Sequence, residues 1–580
     1  MNLKKEKSNI KTINNEEKTE KSTKIKFTIL AIILISLFCF AVTPVTLQND
    51  TYYTIKIGEH IQNYGIDMQD PFSWHENLEY TYPHWLYDLI TYWIYALFNM
   101  NGIYVVTCIL SCLLGISLYI TCKKLTKNEV ISFLITIAAI YIIKPYIAAR
   151  AQLVTFILFV WTIYFIEKFL ETKKKRYGIY LILISLAIAN LHVATWPFFF
   201  ILFLPYIGEY IISLLGEFIL YHKFEHWLKL KKINRYEKII AKANNEEIKT
   251  KYTQKLNELK EELTKLDIRI ERIKTKREEN LKNPFKIYIV KNNAIKWLIL
   301  IMIISALMGL CTPLGDTPYT YLIKTMQGNT TQNINEHLPM TLINETNIIC
   351  ALVVFLAILI FTKTKIRLSD LFMLGGLLYL MLASKRQLTM FVLIGGIILA
   401  RLLMDAFKRY DIKADKFKDF FVKPISAIIL SILVIALSVH YIEPKIDDQY
   451  IDESAYPVKA CDFILNESGI DLKTARFYNE YNYGSYMLFR GIPVFIDSRA
   501  DLYTPEFNPQ SEDIFTDFIN TSNIGTFYED TFQKYNITHV ICYENSKMNM
   551  IITKTNDPNY KQLYKDNNFV IYERLNVENN

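Results

Sequence analysis

Two adjoining stretches decide the fold: "KFTILAIILISLFCFAVTPVTL" at residues 26–47 and "QNDTYYTIKIGEHIQNYGIDMQDPFSW" at residues 48–74. The first is an apolar run as long as a helix that crosses the hydrocarbon core of a bilayer. The second is polar and places Asp50, Asp67 and Asp70 shortly after the end of that run. A connector between two spans needs only polarity and turn residues. This acidic loop is therefore a candidate for chemistry at the membrane surface.

The composition requires both a membrane-embedded part and a water-exposed part. The 580 residues are 51% hydrophobic and 21% charged. Apolar runs of about 20 residues recur along the chain, and each can cross about 30 Å of hydrocarbon. The sequence predicts an α-helical polytopic membrane protein with about eleven transmembrane helices, near residues 26–47, 102–121, 129–147, 152–170, 177–194, 196–220, 294–313, 346–362, 368–384, 387–405 and 421–441.

Charge is distributed along the chain according to topology. The net charge is +8, yet residues 442–580 hold 12 Lys and Arg against 22 Asp and Glu, which leaves +18 for residues 1–441. That positive charge lies in alternate loops, as is typical of cytoplasmic loops. The N-terminus is therefore predicted to be cytoplasmic and residues 442–580 extracytoplasmic, in a cell membrane, with no nucleic-acid partner. This parity requires "HWLYDLITYWIYALFNM" (84–100) to lie in the membrane interface without crossing it.

Composition also divides the chain into consecutive parts. A charged cytoplasmic insertion interrupts the membrane core, and its apolar residues recur at alternating steps of three and four, which predicts a short coiled-coil seam. Two interpretations stay open for this insertion: a helical hairpin that acts as a spacer, or a docking arm for a protein partner at 252–281. The seam residues are Leu256, Leu259, Leu263, Leu266, Ile270 and Ile273. The parts are a basic cytoplasmic tail (1–25), the first half of the core (26–221) with its outer loop (48–101), the insertion (222–293), the second half of the core (294–441) and the outer domain (442–580).

The outer domain has the pattern of a small α/β domain. Four short runs, "RFYNE", "PVFID", "HVICYE" and "FVIYERL", are predicted strands. "AYPVKACDFILNES", "SEDIFTDFIN" and "YEDTFQKY" have helical spacing. Alternation of this kind predicts a sheet covered by helices. Cys461 and Cys542 allow one disulfide at most.

The first acid of the outer loop, Asp50, has two interpretations. Asp50 lies at the predicted outer end of the first span, where a half-desolvated carboxylate can act as a base, or it caps the helix that follows. Tyr53 shares one face of that helix with two isoleucines. Asp70 precedes a proline turn and is a second candidate acid. A divalent metal held by Asp50, Asp67 and Asp70 is conceivable from their oxygen ligands, but no cofactor is favoured.

Further polar residues collect in the loops of the same predicted face. Taken singly, each cation is either a contact to lipid headgroups or a ligand for a substrate. Taken together, an acidic loop and several cations suit an anionic lipid headgroup, with the cations binding phosphate and a carboxylate holding a proton. These residues are Arg150, Gln152, Asn190, His192, Glu336 and Arg386.

The chain resembles the GT-C superfamily of membrane glycosyltransferases, in particular poorly characterised bacterial members that use polyprenyl-phosphate sugars. The resemblance is carried by "DTYYT" (50–54), "GEHI" (58–61), "DPFS" (70–73) and "HWL" (84–86) in the first loop. It continues in "RAQ" (150–152), "NLH" (190–192), "TPLG" (312–315), "INEH" (334–337) and, in the outer domain, "FIDSRADLY" (495–503). Where these relatives have Trp-Trp-His, this chain has Tyr52, Tyr53 and Thr54.

The resemblance implies transfer of a sugar from a polyprenyl-phosphate donor to a glycan, lipid or protein acceptor of the cell envelope, on the outer face. It implies that Asp50 is the catalytic base, with Asp70 beside it to position the acceptor or shape the loop. Arg150 and Arg386 would bind the leaving phosphate with His192. The other residues that the motifs carry to the substrate site are Gln152, Asn190, Glu336, Tyr53 and His84.

Three residues of the outer domain have their own alternatives. Asp497, Arg499 and Asp501 bind a glycan, hold the outer domain against the membrane core, or form an internal salt bridge at the end of a strand. Two other functions also compete with the transferase. A flippase or exporter of lipid-linked glycans would need a polar path through the spans. A non-catalytic subunit of an envelope assembly would use the insertion and the outer domain as docking parts.

Overall fold

The computed structural model describes residues 2–215, 219–243, 245–282, 286–410 and 423–575. The chain is 70% helical. Within the described residues, seven helices are long and apolar enough to cross a membrane, which supports the predicted class of helical membrane protein. They are Ser22–Val42, Trp85–Thr126, Glu129–Tyr146, Ala151–Thr172, Val193–Leu214, Lys385–Arg409 and Pro424–Lys445. The first of them is the end of a longer helix, Asn2–Val42.

The remaining four predicted spans are also helical, but they are shorter. Lys175–Leu191 has 17 residues, and both Thr346–Phe361 and Leu368–Ala383 have 16. The helix Ile295–Leu307 is extended by one tighter turn to Leu310. Every predicted span therefore coincides with an apolar helix, while the number that cross the membrane stays a prediction.

The first outer loop folds into two helices packed against each other. Asn49–Tyr64 ends at Gly65, which has a positive φ of 84°. The chain turns and enters a helix at Trp85 that is kinked at Asn99, where φ is 53° and ψ is −153°. The helix is thus broken at Asn99, near the end of the predicted interfacial segment 84–100. That this segment does not cross the membrane stays a prediction. Gly58 permits the close packing, since a Cβ there would lie 2.2 Å from the carbonyl oxygen of Asp88.

The insertion is an antiparallel helical hairpin made by Ile219–Lys242 and Glu246–Lys282. The predicted seam is confirmed: Leu256, Leu266 and Ile270 are buried against the first helix, from which Ile233 is buried in return. Apolar burial at alternating steps of three and four is what holds two such helices together. Docking of a protein to this hairpin stays a prediction.

The chain returns from the hairpin through a short strand, Ile287–Tyr288, which pairs in parallel with Ile366–Arg367. The charged residues beside this pair of strands form ion pairs with one another. Arg401 contacts Glu167 and Asp370, and Arg367 contacts Glu209. Buried charges in spans are tolerated when they pair in this way.

The outer domain contains a four-stranded mixed sheet. In spatial order its strands are Phe477–Tyr478, His539–Tyr543, Phe569–Arg574 and Tyr560–Lys565. The first pair is parallel and the others are antiparallel. Helices lie beside the strands along the chain, as predicted for an α/β domain: Val458–Asn466, Tyr481–Phe489, Ile514–Asn523, Tyr528–Lys534 and Lys547–Thr555.

Two details of the predicted sheet were wrong. "PVFID" is no strand of the sheet; its Val494 makes one isolated bridge to Ser73 in the first outer loop. Its place is taken by Tyr560–Lys565, an edge strand with several exposed side chains and little apolar patterning. Strand pairing depends on partners distant in sequence, so composition alone does not identify it. Cys461 and Cys542 are buried free thiols.

The first outer loop and the outer domain share one hydrophobic core. Tyr52 is fully buried, with its ring 5.0 Å from that of Tyr456 and 5.1 Å from that of Tyr486. The nitrogen of Leu47 also donates to the carbonyl of Tyr450. This shared core fixes the position of Asp50, two residues before Tyr52.

Candidate functional site

A cavity of about 1140 Å³ lies between the predicted outer ends of the spans and the outer domain. The segments that line it come from loops distant in sequence: the first outer loop, the turns at 148–151, 190–196 and 384–387, and the loop 314–345. Because basic loops alternate with these segments along the chain, the sequence predicts that all five share the outer face. The cavity brings residues from all five together. Its volume lies at or slightly above the usual range for small-molecule sites, about 300–1,000 Å³.

Ten of the predicted site residues line this cavity. They come from the membrane core and from the outer domain, so the site is built by both halves of the fold. The ten are Asp50, Tyr53, His84, Arg150, Gln152, His192, Glu336, Arg386, Arg499 and Asp501.

Asp50 and Glu336 are joined through Arg150. The Arg150 guanidinium lies 3.0 Å from the Asp50 carboxylate (Nη2 to Oδ2) and 2.9 Å from that of Glu336 (Nη1 to Oε1). Burial opposes the charge of Arg150, but the two carboxylates outweigh it and raise its pKa. Burial likewise opposes ionisation of Glu336, and Arg150 and Arg386 outweigh it and lower the pKa. The group is a carboxylate–guanidinium–carboxylate bridge at the cavity wall.

Asp50 does not cap the helix that follows it, which excludes one of its two interpretations. The N-cap of Asn49–Tyr64 is Gln48, and no side chain caps the helix. Asp50 stands in the first helical turn, where the positive end of the helix dipole favours a carboxylate, and its oxygen is turned to Arg150. Its side chain is 24% exposed. Capping was therefore the wrong interpretation, and the carboxylate is accessible from the cavity.

Arg386 carries the free positive charge of the cavity. Its guanidinium contacts the Nε2 atom of His337 at 3.4 Å (Nη1 to Nε2). Its backbone nitrogen donates to the carbonyl of Glu336 at 3.0 Å, which orients the turn. Among the described residues, no carboxylate lies within ion-pair distance of it. A guanidinium in this condition is suited to an anionic ligand such as a phosphate.

Two imidazoles face each other in the same wall. The ring centroids of His84 and His192 are 5.0 Å apart, and the Nδ1 atom of His192 is 3.0 Å from the hydroxyl of Thr155. Burial, reinforced by Arg386 and Arg150, lowers the pKa of His84 to about 3. Burial, with His84 and Arg386 nearby, lowers the pKa of His192 well below its usual value. Both rings are neutral at physiological pH and offer hydrogen bonds instead of charge.

Asp70 is not brought to the cavity wall. Its Oδ1 atom accepts from the Arg499 Nη1 atom at 2.7 Å, and its Oδ2 atom accepts from the Ser73 hydroxyl at 2.5 Å. Burial opposes ionisation, but Arg499 and Ser73 outweigh it and lower the pKa of Asp70. With its side chain 0% exposed, Asp70 shapes the loop and has no access to a substrate. The expectation of a second catalytic acid at this position is therefore not supported.

Asp497, Arg499 and Asp501 hold elements together. Arg499 pairs with Asp497 through its Nη2 atom at 2.7 Å, as the salt-bridge alternative predicted, and also reaches Asp70 in the first outer loop. Asp501 accepts from the hydroxyls of Tyr321 and Thr325, at 2.7 and 3.1 Å. Those hydroxyls belong to the helix Thr317–Gln327. Asp501 thus ties the loop 314–345 to the outer domain.

Asn190 is also a predicted ligand that does not line the cavity. Its amide donates to the carbonyl oxygens of Leu186 at 2.9 Å and Cys311 at 3.1 Å. It therefore joins the end of one span to the end of another. The sequence placed it correctly beside His192 but could not show that its amide is already engaged.

One titratable residue of the cavity, Glu480, was not predicted from the sequence as a candidate site residue. Glu480 lines the cavity, and burial raises the pKa of its carboxyl to about 7. A carboxyl that titrates near neutrality is suited to general acid–base chemistry. The only signal in the sequence was its place at the end of the predicted strand "RFYNE", where a charged side chain follows a buried one.

The three acids considered as metal ligands lie in separate contacts. Asp50 pairs with Arg150 and Asp70 with Arg499, while Asp67 accepts from Tyr82 at 2.6 Å. In the described part of the chain, no group of three or more His, Cys, Asp or Glu side chains is placed to hold a metal ion.

Comparison with known protein families and curated proteins found no match.

Proposed function

We propose that this chain is an integral membrane glycosyltransferase of the GT-C type. It transfers a sugar from a polyprenyl-phosphate donor to an acceptor of the cell envelope at the outer face of the membrane. The observation that carries the proposal is that one cavity at the ends of the spans is lined by an accessible carboxylate, Asp50, and by the guanidinium of Arg386, which has no carboxylate partner among the described residues. The resemblance of the first-loop motifs agrees with this assignment.

In the proposed reaction, Asp50 takes the proton of an acceptor hydroxyl as that oxygen attacks the anomeric carbon of the donor. The bond from the anomeric carbon to the phosphate oxygen breaks, and the phosphate leaves with the bonding electrons. The proton passes from Asp50 to water when the product departs. A positioned base of this kind contributes about 10²–10⁴-fold to the rate.

Arg386 is the proposed ligand of the leaving phosphate. Arg150 was expected to share that role, but its guanidinium already contacts Asp50 and Glu336. Arg150 is therefore assigned to positioning Asp50, and Arg386 to the phosphate, with hydrogen bonds from the neutral imidazoles of His84 and His192. Loss of one such donor costs about 2.7–4 kcal/mol of transition-state stabilisation in enzymes of other classes.

The cavity wall also suits a donor that arrives through the membrane. Alongside the charged residues it includes apolar side chains near the span ends, among them Phe198, Leu338 and Leu380. A polyprenyl chain can lie against such residues while its phosphate reaches Arg386. At the predicted cytoplasmic ends of the spans, one group of charges is mutually paired, which favours a transferase over an exporter that needs a polar path. This group consists of Glu167, Glu209, Arg367, Asp370 and Arg401.

The test is sugar transfer in liposomes that contain the purified protein and a panel of radiolabelled polyprenyl-phosphate donors. Asp50→Asn should lower the transfer rate by at least about 10²-fold. Asp67→Asn is the matched control, since Asp67 lies in the same loop, outside the cavity lining, and contacts His60 at 2.9 Å. Equal transfer rates for Asp50→Asn and wild type would exclude Asp50 as the base. Glu480 would then be the next candidate base to replace. Absence of transfer or hydrolysis for every donor would favour the non-catalytic subunit.

A further inference from the structure

The first helix of the hairpin, Ile219–Lys242, has one face that is exposed along its length. Residues at alternating steps of three and four fall on the same side of a helix. At such steps this helix begins with apolar side chains and continues with basic ones. The stripe consists of Tyr221, Phe224, Leu228, Lys231, Arg235 and Lys238, all of them exposed.

The opposite side of this helix is occupied by the hairpin itself. Ile233 is 5% exposed, and Lys229 pairs with Glu262 on the second helix at 2.9 Å. Glu237 pairs with Lys260 of that helix at 3.0 Å. The acids of the first helix are thus neutralised inside the hairpin. What remains on the exposed face is positive and apolar.

The apolar part of this face is organised around Trp227. Its ring lies 5.9 Å from that of Phe224 in a stacked arrangement, and the ammonium of Lys231 lies 4.5 Å above it. Tyr221, Phe224 and Trp227 are 64%, 58% and 49% exposed. Large aromatic residues this exposed, beside a basic residue, are typical of helices in the headgroup region of a membrane.

The basic part of the face has no partner in the chain. Within the residues that the structure describes, Lys231, Arg235 and Lys238 have no carboxylate within ion-pair distance, in contrast to Lys229. An unbalanced row of cations on one helical face attracts an anionic surface.

The exposed face of this helix lies close to the membrane surface. The helix begins five residues after Leu214, the end of the candidate span Val193–Leu214. Five residues cannot carry the chain far from the bilayer, because even a fully extended chain gains at most about 3.6 Å per residue. The aromatic turns therefore lie where the chain leaves the membrane, and the cations follow.

We propose that this face, Tyr221 to Lys238, binds the anionic lipid surface of the membrane beside which the hairpin emerges. The aromatic residues enter the headgroup region, and the basic residues bind lipid phosphates. Binding of this kind would hold the hairpin along the membrane, independently of any reaction in the cavity. The proposal does not depend on glycosyl transfer.

The test uses the full-length protein in nanodiscs of phosphatidylcholine, with or without about one third phosphatidylglycerol, and limited trypsin digestion. Anionic lipid should slow cleavage after Lys232 and Lys238 by about tenfold, and about 0.5 M salt should remove this protection. Cleavage after Lys265 and Lys274, which are exposed on the second helix, should not change. These two sites report in the same molecule that the hairpin is folded and that trypsin is active.

Charge reversal supplies the matched variants. K231E/R235E should lose the protection of Lys232 and Lys238, whereas K265E/K274E, with the same change in charge on the second helix, should keep it. Equal cleavage in the two kinds of nanodisc would overturn the proposal. Protection that arises only after soluble cell proteins are added would also overturn it and assign the face to an acidic protein.

Discussion

Replacement of Arg499 should destabilise the contact between the first outer loop and the outer domain far more than neutralisation of Asp70. The cluster holds two carboxylates, Asp70 and Asp497, and one guanidinium, with side chains 0%, 0% and 2% exposed. Arg499→Met leaves two buried carboxylates with no cation between them. Asp70→Asn leaves one carboxylate and one guanidinium, which form a neutral pair.

The charge count determines the expected magnitudes. A buried charge left without its partner costs about 3–5 kcal/mol. Arg499→Met also removes the guanidinium that lies 5.0 Å from the centre of the Tyr80 ring. Asp70→Asn keeps one oxygen for Arg499, while its NH2 group replaces the oxygen that accepts from Ser73, whose hydroxyl can turn to accept instead. The exchange of charge-assisted hydrogen bonds for neutral ones costs about 1–2 kcal/mol. With about 3 °C per kcal/mol for a unit of 150–250 residues, the thermal midpoint should fall by about 12 °C and about 4 °C respectively.

The assay is the thermal unfolding midpoint of the purified protein in detergent, followed by intrinsic fluorescence, together with the transfer rate below that midpoint. Asp70→Asn should retain transfer within about threefold of wild type, since its carboxylate does not reach the cavity. A midpoint for Asp70→Asn as low as that for Arg499→Met would refute the charge count. A folded but inactive Asp70→Asn protein would show that Asp70 has a role in catalysis.

Three further predictions concern the cavity. Arg150→Lys should lower the transfer rate by about 10- to 100-fold, because an ammonium cannot hold two carboxylates as a guanidinium fork does. Lys385→Ala, at a half-buried position outside the cavity lining, should stay near wild type. The pKa values of His84 and His337 in the fold are about 3 and about 4, against about 6.5 in an unfolded chain. The unfolded state therefore binds more protons below about pH 6.5, so the thermal midpoint should fall as the pH drops from 6.5 towards 4, and a constant midpoint would contradict this assignment. Glu480→Gln should remove any limb of the pH–rate profile near pH 7, and an unchanged profile would exclude Glu480 as a proton carrier.

The features that the sequence predicted well depend on local information. Each apolar run became a helix, because run length and helical periodicity are set by residues close together in the chain. The break at Asn99 and the seam of the hairpin have the same origin. The sheet was predicted less well, since the partner of "PVFID" turned out to be Ser73, more than 400 residues away. Register and pairing of strands depend on contacts at such distances.

The candidate site shows the same division. Loop parity placed Asp50, Arg150 and Arg386 on one predicted face, and the cavity brings these three residues together. Which of them contact one another could not be inferred. Asp70 looked like a second acid of the loop until its partner, Arg499, was found 429 residues further along the chain. A short carboxylate near a turn has the same appearance in sequence whether it faces a cavity or a buried guanidinium.

The distribution of partners distinguishes Arg150 from Arg386 more clearly than their motifs do. A guanidinium that already holds two carboxylates gains little from a phosphate, because the phosphate would meet the negative charge of Asp50 and Glu336 at the same place. Arg386 has no carboxylate within ion-pair distance in the described part of the chain. Its guanidinium contacts the imidazole of His337, and burial, with Arg386 itself nearby, lowers the pKa of that imidazole to about 4. In the proposed reaction the leaving phosphate therefore binds at Arg386, and Asp50, which is paired with Arg150, acts as the base. Two different residues for these roles suit a displacement at carbon, because the base and the leaving group act on opposite sides of the reacting atom.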